Sequence, residues 1–370
     1  MNALDNKKNF IYFKNMGKSL RLSIILLLLM FTVLLVVASG CSRKIYQVAY
    51  PTLNDGKYDS EFPYKNASTE LNNIAQTVRK LSAIAYYKSY VFSEESRLRK
   101  SDLKNKNFRD HAVKEVYFNN SVIGSATVVS YVGRRITLIT CAHIVDFEDT
   151  LYTYFSTESG MQTPFLQSVA IKQKQNNFVA DLPERGELEI LAIDKELDIA
   201  LLGRMFTSDT KFPIPVFNYP FGKAVQLEWG SFVYLMGYPK GYLMVTRGIV
   251  SQPDRDRQGS FLVDALFNRG FSGGIVLAIK DGVPNFELVG LASSVSADFE
   301  YRVIPPNDIG RSAFDPRIPY EGDVFVELNR HINYGITFIV STEIILTFIK
   351  TNLDRLKMQG YDLSALVSGY

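Results

Sequence analysis

The chain has 370 residues, 46% of them hydrophobic and 21% charged, with a net charge of +3. That composition is ordinary for a globular protein of one large or two modest domains, and the near-neutral balance gives no footing for a nucleic-acid partner. Two cysteines, Cys41 and Cys141, exclude a disulfide scaffold, so the fold needs an ordinary buried core.

Lys7, Lys8, Lys14, Lys18 and Arg21 precede an apolar run from Leu22 to Ala38, which ends Ala38-Ser39-Gly40-Cys41. A basic region, an apolar core and small residues before a break have the layout of an export signal. Cys41 directly after Ser-Gly resembles the lipobox of bacterial lipoproteins, although Ala38 stands where that family more often has Leu. The resemblance implies a signal peptide over residues 1–40 and a diacylglycerol on the Cys41 sulfur. The protein would then be lipid-anchored to a membrane of the bacterial envelope and face the periplasm or the exterior. The alternative is an uncleaved anchor, because the run is near the lower limit for crossing a bilayer.

Residues 41–66 are rich in Tyr, Pro, Asn and Asp without a period and read as a tether. Leu71, Ile74, Ala75, Val78, Leu81, Ile84 and Ala85 then recur at three- and four-residue steps, which predicts a helix through Ala85 in a helical N-terminal extension over residues 67–106, with the charged residues 93–106 as loop. From Ala112 the period falls to two. Val113, Glu115 and Tyr117 alternate with Lys114, Val116 and Phe118, and Asn119-Asn120 reads as a turn. Ser121 to Ser130, a turn at Gly133, and Ile136 to Thr140 continue as β-branched strands, the pattern of an antiparallel barrel.

Gly124-Ser125-Ala126 followed by Leu138-Ile139-Thr140-Cys141-Ala142-His143 resembles a trypsin-like serine protease, and within it the HtrA/Deg branch. Four further stretches match that branch in order. They are Asp194-Lys195-Glu196-Leu197-Asp198-Ile199-Ala200-Leu201-Leu202; Gly237-Tyr238-Pro239-Lys240-Gly241 with Thr246-Arg247-Gly248-Ile249-Val250-Ser251; Asp264 to Gly274; and Leu288 to Ser294 with Tyr334 to Ile339. The resemblance implies a mainly β fold of two antiparallel six-stranded barrels, with an N-terminal and a C-terminal helix, over residues 107–352. Residues 297–333, with Pro305-Pro306, Pro316 and Pro319, read as an inserted surface loop or lid, and 353–370 as a tail. That tail is too short for the PDZ domain usual in the HtrA branch.

By the same resemblance His143 is the general base, Asp198 the carboxylate that orients it and Ser272 the nucleophile. The N–H groups of Gly270 and Ser272 form the oxyanion hole. Asp194 and Asp146 compete with Asp198, which is favoured because the apolar run begins directly after it. Leu266, six residues before the nucleophile, takes the pocket floor, and Ser293, Ser294 and Val295 line the substrate strand. An apolar residue at the floor disfavours cleavage after Lys or Arg and favours small or medium apolar residues. Phe271 replaces a small polar residue and is expected to crowd the leaving-group side. The implied partner is a protein or peptide substrate, with no cofactor and no metal. The competing reading is an inactive protease-like module that binds peptides without cutting them, suggested by Arg269 and Phe271.

Overall fold

The computed structural model describes residues 23, 26–34, 54–104, 107–157, 161–210, 213–256, 259–304, 317–318, 322 and 324–368. The chain divides into two compact units, residues 1–56 and 57–370. In the first, residues 26–34 are helical and their large apolar side chains are exposed. No helix among the described residues is long and apolar enough to cross a membrane. Cys41 and the basic region from Lys7 to Arg21 lie outside the described residues.

The second unit holds two closed antiparallel barrels. Barrel one is made of β1 (Val78–Val91), β2 (Lys114–Val132), β3 (Arg135–Thr140), β5 (Gln162–Phe178), β6 (Glu187–Asp194) and β7 (Ile199–Met205), with β4 (Thr150–Ser156) added outside β5. Its order is β1-β2-β3-β7-β6-β5, and β5 closes back on β1. Barrel two comprises β8 (Phe232–Gly237), β9 (Met244–Gln252), β10 (Phe261–Asp264), β11 (Gly274–Ile279), β12 (Phe286–Ile304) and β13 (Phe325–Ser341), closed in the order β10-β13-β12-β11-β8-β9. The helices are α1 (Ser68–Ala75), the single turn α2 (Ala142–Val145), α3 (Thr342–Met358) and the short α4 (Ser364–Val367). This is the mainly β, two-barrel architecture implied by the sequence, with its N- and C-terminal helices.

The barrels follow from side-chain alternation. In β3 and β7 nearly every residue is buried, consistent with strands of β-branched and aliphatic residues packed on both faces. Gly133 and Arg134 both adopt positive φ, +55° and +65°, which lets a two-residue turn join β2 to β3 with the twist of the strands. Ser341 caps α3, its hydroxyl accepting from the Ile344 N–H. The helix lays Ile345, Phe348 and Ile349 on a core shared with β11 and β12.

Four expectations are corrected. The helix predicted through Ala85 stops at Ala75, and Val78–Val91 is the first barrel strand. Leu81, Ala83, Ala85 and Tyr87 bury every second side chain there, so pairing with β2 and β5 overrides the helical spacing. Asn119-Asn120 is no turn, because β1 pairs straight through it with Tyr86 and Ala85. The tether ends sooner than residue 66. Tyr58 is buried and donates to Glu287, while the Asp59 backbone bonds Ile279 and Phe232 of barrel two. Residues 353–370 are not a loose tail, since Leu356, Tyr361 and Leu363 complete the core beneath α3.

The stretch 297–333 also differs from a surface loop. Residues Ala297–Ile304 pair with Phe325–Ile332, so β12 and β13 run on as a two-stranded ribbon. Pro305-Pro306, Pro316 and Pro319 lie outside the described residues.

Candidate active site

β3 delivers Thr140 and Cys141 into α2, which puts His143 just beyond the barrel rim. The turn after β6 delivers Asp198. Asp194 accepts from the N–H groups of Glu196 and Leu197 and so closes that turn, while Asp146 pairs with Lys195. Both competitors are therefore spent elsewhere. Asp198 adopts φ +54°, a left-handed conformation that Asp tolerates better than most residues.

Asp198 accepts from the His143 backbone N–H at 3.0 Å, and its two oxygens lie 3.0 and 2.9 Å from His143 Nδ1. The Ser293 hydroxyl, from barrel two, donates to the remaining side of the same carboxylate. The Asp198 side chain is 22% exposed and that of His143 44%. Burial alone would push the Asp198 carboxyl up. The His143 ring, the Ser293 hydroxyl and the His143 N–H together outweigh it and hold the carboxyl below its ordinary value.

Ser272 comes from barrel two, on the turn between β10 and β11. Its Oγ donates to the Ser293 carbonyl at 2.9 Å and makes no hydrogen bond to His143. Ser293 thus touches Asp198 through its hydroxyl and Ser272 through its carbonyl. Its role is more than lining the substrate strand.

The turn around Ser272 is fixed peptide by peptide. The Arg269 carbonyl accepts from the Lys240 N–H at 2.8 Å. Because a trans peptide points its C=O and N–H in opposite directions, the Gly270 N–H is turned away from Lys240. The Phe271 carbonyl accepts from the Gly274 N–H at 2.7 Å, which turns the Ser272 N–H outward by the same reasoning. Neither N–H has an acceptor among the described residues. Gly270 needs its φ of +101°, and a Cβ there would lie 2.3 Å from the Tyr238 carbonyl. Two free donors beside a hydroxyl suit a developing oxyanion.

The middle peptide rests on Ser125 of β2, a fully buried residue. Its Oγ donates to the Gly270 carbonyl and accepts from the Tyr238 N–H, its N–H donates to the Ser272 carbonyl, and its own carbonyl accepts from Thr140 Oγ1. Ser125, Tyr238 and Lys240 belong to stretches that sequence reasoning used only to place the chain in a family. The signal was there in a hydroxyl on a small-residue stretch, Gly124-Ser125-Ala126, where a purely apolar strand would otherwise run.

The remaining site residues divide. Ser294 is exposed and Val295 packs on the barrel-two core. Leu266 is 63% exposed and does not floor a closed pocket. Its neighbours Ala265 and Phe267 both turn into the core, so alternation sends Leu266 outward. Phe271 is 2% exposed and packs against Phe267, the rings tilted by 34° with their centres 5.8 Å apart. It supports the loop from inside and does not crowd the leaving-group side.

Cys141 is buried beneath the site and its thiol donates to the Ala292 carbonyl at 3.5 Å. Burial, with the Asp198 charge behind it, pushes that thiol well above its usual range. Potential ligand atoms of Cys141, His143 and Asp198 lie within 4.8 Å of one another. All three groups are engaged in hydrogen bonds.

Residues 124–291 match the family model described as a trypsin-like peptidase domain. No curated protein matches the chain. Among solved structures the chain is similar to the HtrA-type protease AlgW with a decapeptide, at 16% identity and TM-score 0.42, covering 78% of this chain and 67% of that one. AlgW with a tripeptide gives 16% identity and TM-score 0.42, covering 79% and 64%. Deg5 gives 16% identity and TM-score 0.33, covering 61% and 85%.

Proposed function

We propose, from a trypsin-like peptidase domain over residues 124–291, that the chain is a serine endopeptidase. Ser272 Oγ attacks the scissile carbonyl while its proton passes to His143 Nε2. The oxyanion forms between the N–H groups of Gly270 and Ser272. His143 then gives the proton to the departing amine, and water repeats the sequence on the acyl-enzyme. Asp198 holds the imidazole in the tautomer that leaves Nε2 free to accept.

The observation that supports this reading is the chain of bonds at the seam of the two barrels: His143 to Asp198, and both Asp198 and Ser272 to Ser293. Ser272 must leave the Ser293 carbonyl to bond His143. Hydrogen bonds of this kind are often loose before substrate is bound. The same bond supports a second reading, a peptide-binding module in which Ser272 is silent. A fluorophosphonate probe separates the two: covalent label on the wild type, lost in Ser272→Ala, supports the peptidase. A folded wild type that takes no label overturns it.

Val295, half-buried beside Ser293-Ser294, supports cleavage after small or medium apolar residues, while Leu266, exposed outside any closed pocket, does not bear on it. A peptide library cut mainly after Arg or Lys would reject that specificity. The Ala38-Ser39-Gly40-Cys41 stretch supports lipid anchoring in the bacterial envelope through Cys41. Radioactive palmitate should label the wild type and leave Cys41→Ala unlabelled.

A further inference from the structure

The β12–β13 ribbon is amphipathic. Tyr301 pairs with Leu328 and Val303 with Val326, so these four side chains share a face with Phe299, and all five are exposed. The opposite face carries the cross-strand pairs Asp298–His331, Glu300–Asn329 and Arg302–Glu327, with Ile304–Phe325 at the tip, and the register sets Arg330 opposite Phe299 on the first face. An exposed apolar face on a narrow ribbon is not explained by folding, because nothing in the ribbon buries it.

The edges are open as well. β11 leaves β12 at the pair Gly274–Ala292, so beyond Ala292 no strand among the described residues pairs with that edge of β12. The open edge starts at the nucleophile: Ala292 accepts from the Gly273 N–H and Ser293 from Ser272 Oγ. It then continues past Ser294 and Val295 into the ribbon within one strand, through two register shifts against β13, at Ala292/Ser294 and Val295/Ala297. From Ala297 to Ile304 the ribbon adds about 26 Å at the usual strand rise.

The geometry points to the ribbon as a docking rail for the substrate polypeptide, an extended segment that adds to the β12 edge. Its alternate apolar side chains would cover Phe299, Tyr301 and Val303. Backbone hydrogen bonds supply the affinity in strand addition, and side-chain alternation supplies the selection. Every strand pair in both barrels is antiparallel. Antiparallel addition runs the segment on the N-terminal side of the cleaved bond outward along the rail. The substrate class is therefore an unfolded chain with a β-forming stretch of alternating apolar residues several positions before the cut. This rests on the peptidase reading for the position of the cut, and on continuity with the Ser272 site for the occupant.

The test uses the full chain and two quenched fluorescent peptides identical around the cleaved bond. The longer carries eight more N-terminal residues with valine at alternate positions. The expected result is a KM about tenfold lower for the longer peptide at unchanged kcat. That gain should disappear in a Phe299→Ser/Tyr301→Ser/Val303→Ser variant, and when alternate amides of the extension are N-methylated. Equal KM for both lengths, or a gain that survives the triple substitution, overturns the proposal. So does sedimentation showing that the wild type dimerises and the triple variant does not, because the face then belongs to a second copy. If the wild type cuts neither peptide, the peptidase reading falls on its own. Fluorescence anisotropy of both peptides on Ser272→Ala then decides the rail: tighter binding of the longer one, lost with the ribbon substitutions, supports it, and equal binding ends it.

Discussion

The Ser125 hydroxyl donates to the Gly270 carbonyl at 2.7 Å across the seam between the barrels. The same oxygen accepts from Tyr238, two residues before Lys240, whose N–H holds the Arg269 carbonyl. One buried atom of barrel one thus steadies the turn that carries Ser272 and the strand end that aims the Gly270 N–H.

Ser125→Ala leaves a buried carbonyl and a buried N–H without partners. Each such group costs about 1–3 kcal/mol, so thermal stability falls. A purely structural role ends there. A positioning role predicts more: kcat down by about tenfold to a hundredfold with KM nearly unchanged, and a parallel loss of affinity for a peptide boronate that engages the oxyanion donors. Lowered stability with kcat and boronate binding intact would remove Ser125 from the machinery.

Asp198 ties pH to stability. Its folded-state carboxyl lies below its ordinary value, so the ionised form favours the fold. That contribution is complete above the unfolded value, about 3.9, and is lost as pH falls through the lower folded value. Asp198→Asn should therefore be less stable than wild type at pH 7, and the gap should close below about pH 4 in urea melts. A gap that persists to pH 2 contradicts the assignment. At pH 7 the same change should lower kcat by about 10⁴-fold if the carboxylate fixes the tautomer.

Phe271 makes a core prediction at a position that reads, in sequence, as part of the site. Its ring is buried against Phe267. Phe271→Ala should cost about 3–5 kcal/mol, as large-to-small core changes do. Replacement by Asn should be at least as costly, because an amide would be buried without designed partners. Urea denaturation of both variants measures this. Near-wild-type stability of either one would place the ring outside the core.

The pattern of success in reading the chain has a physical cause. The placement of His143, Asp198 and Ser272 at strand ends was legible because a buried strand meets a turn at each, and that local contrast survives in sequence. Val78–Val91 was not, because Leu81 and Ala85 are spaced like a helix face, and only pairing with β2 and β5 selects the strand. Ser125 was visible as part of a motif but silent as to role, since its partners lie 145 and 113 positions away. The ribbon was hidden by its prolines, which suggest a loop, although the flanking Phe299 to Val303 alternates cleanly.

Gly273 separates two kinds of glycine requirement. Its φ is +76°, and a Cβ there would lie 2.1 Å from the Ser125 carbonyl oxygen and 2.5 Å from Thr140 Oγ1. Gly133 also has positive φ, +55°, but a Cβ there meets nothing within 4 Å. Gly133→Ala should therefore cost only the backbone term, about 1–2 kcal/mol, and keep fluorophosphonate labelling of Ser272. Gly273→Ala adds a wedge between the nucleophile turn and β2, so it should destabilise more and abolish labelling even in the folded fraction. Labelling of Gly273→Ala at the wild-type rate would show that the turn can leave Ser125 without losing the geometry of the site.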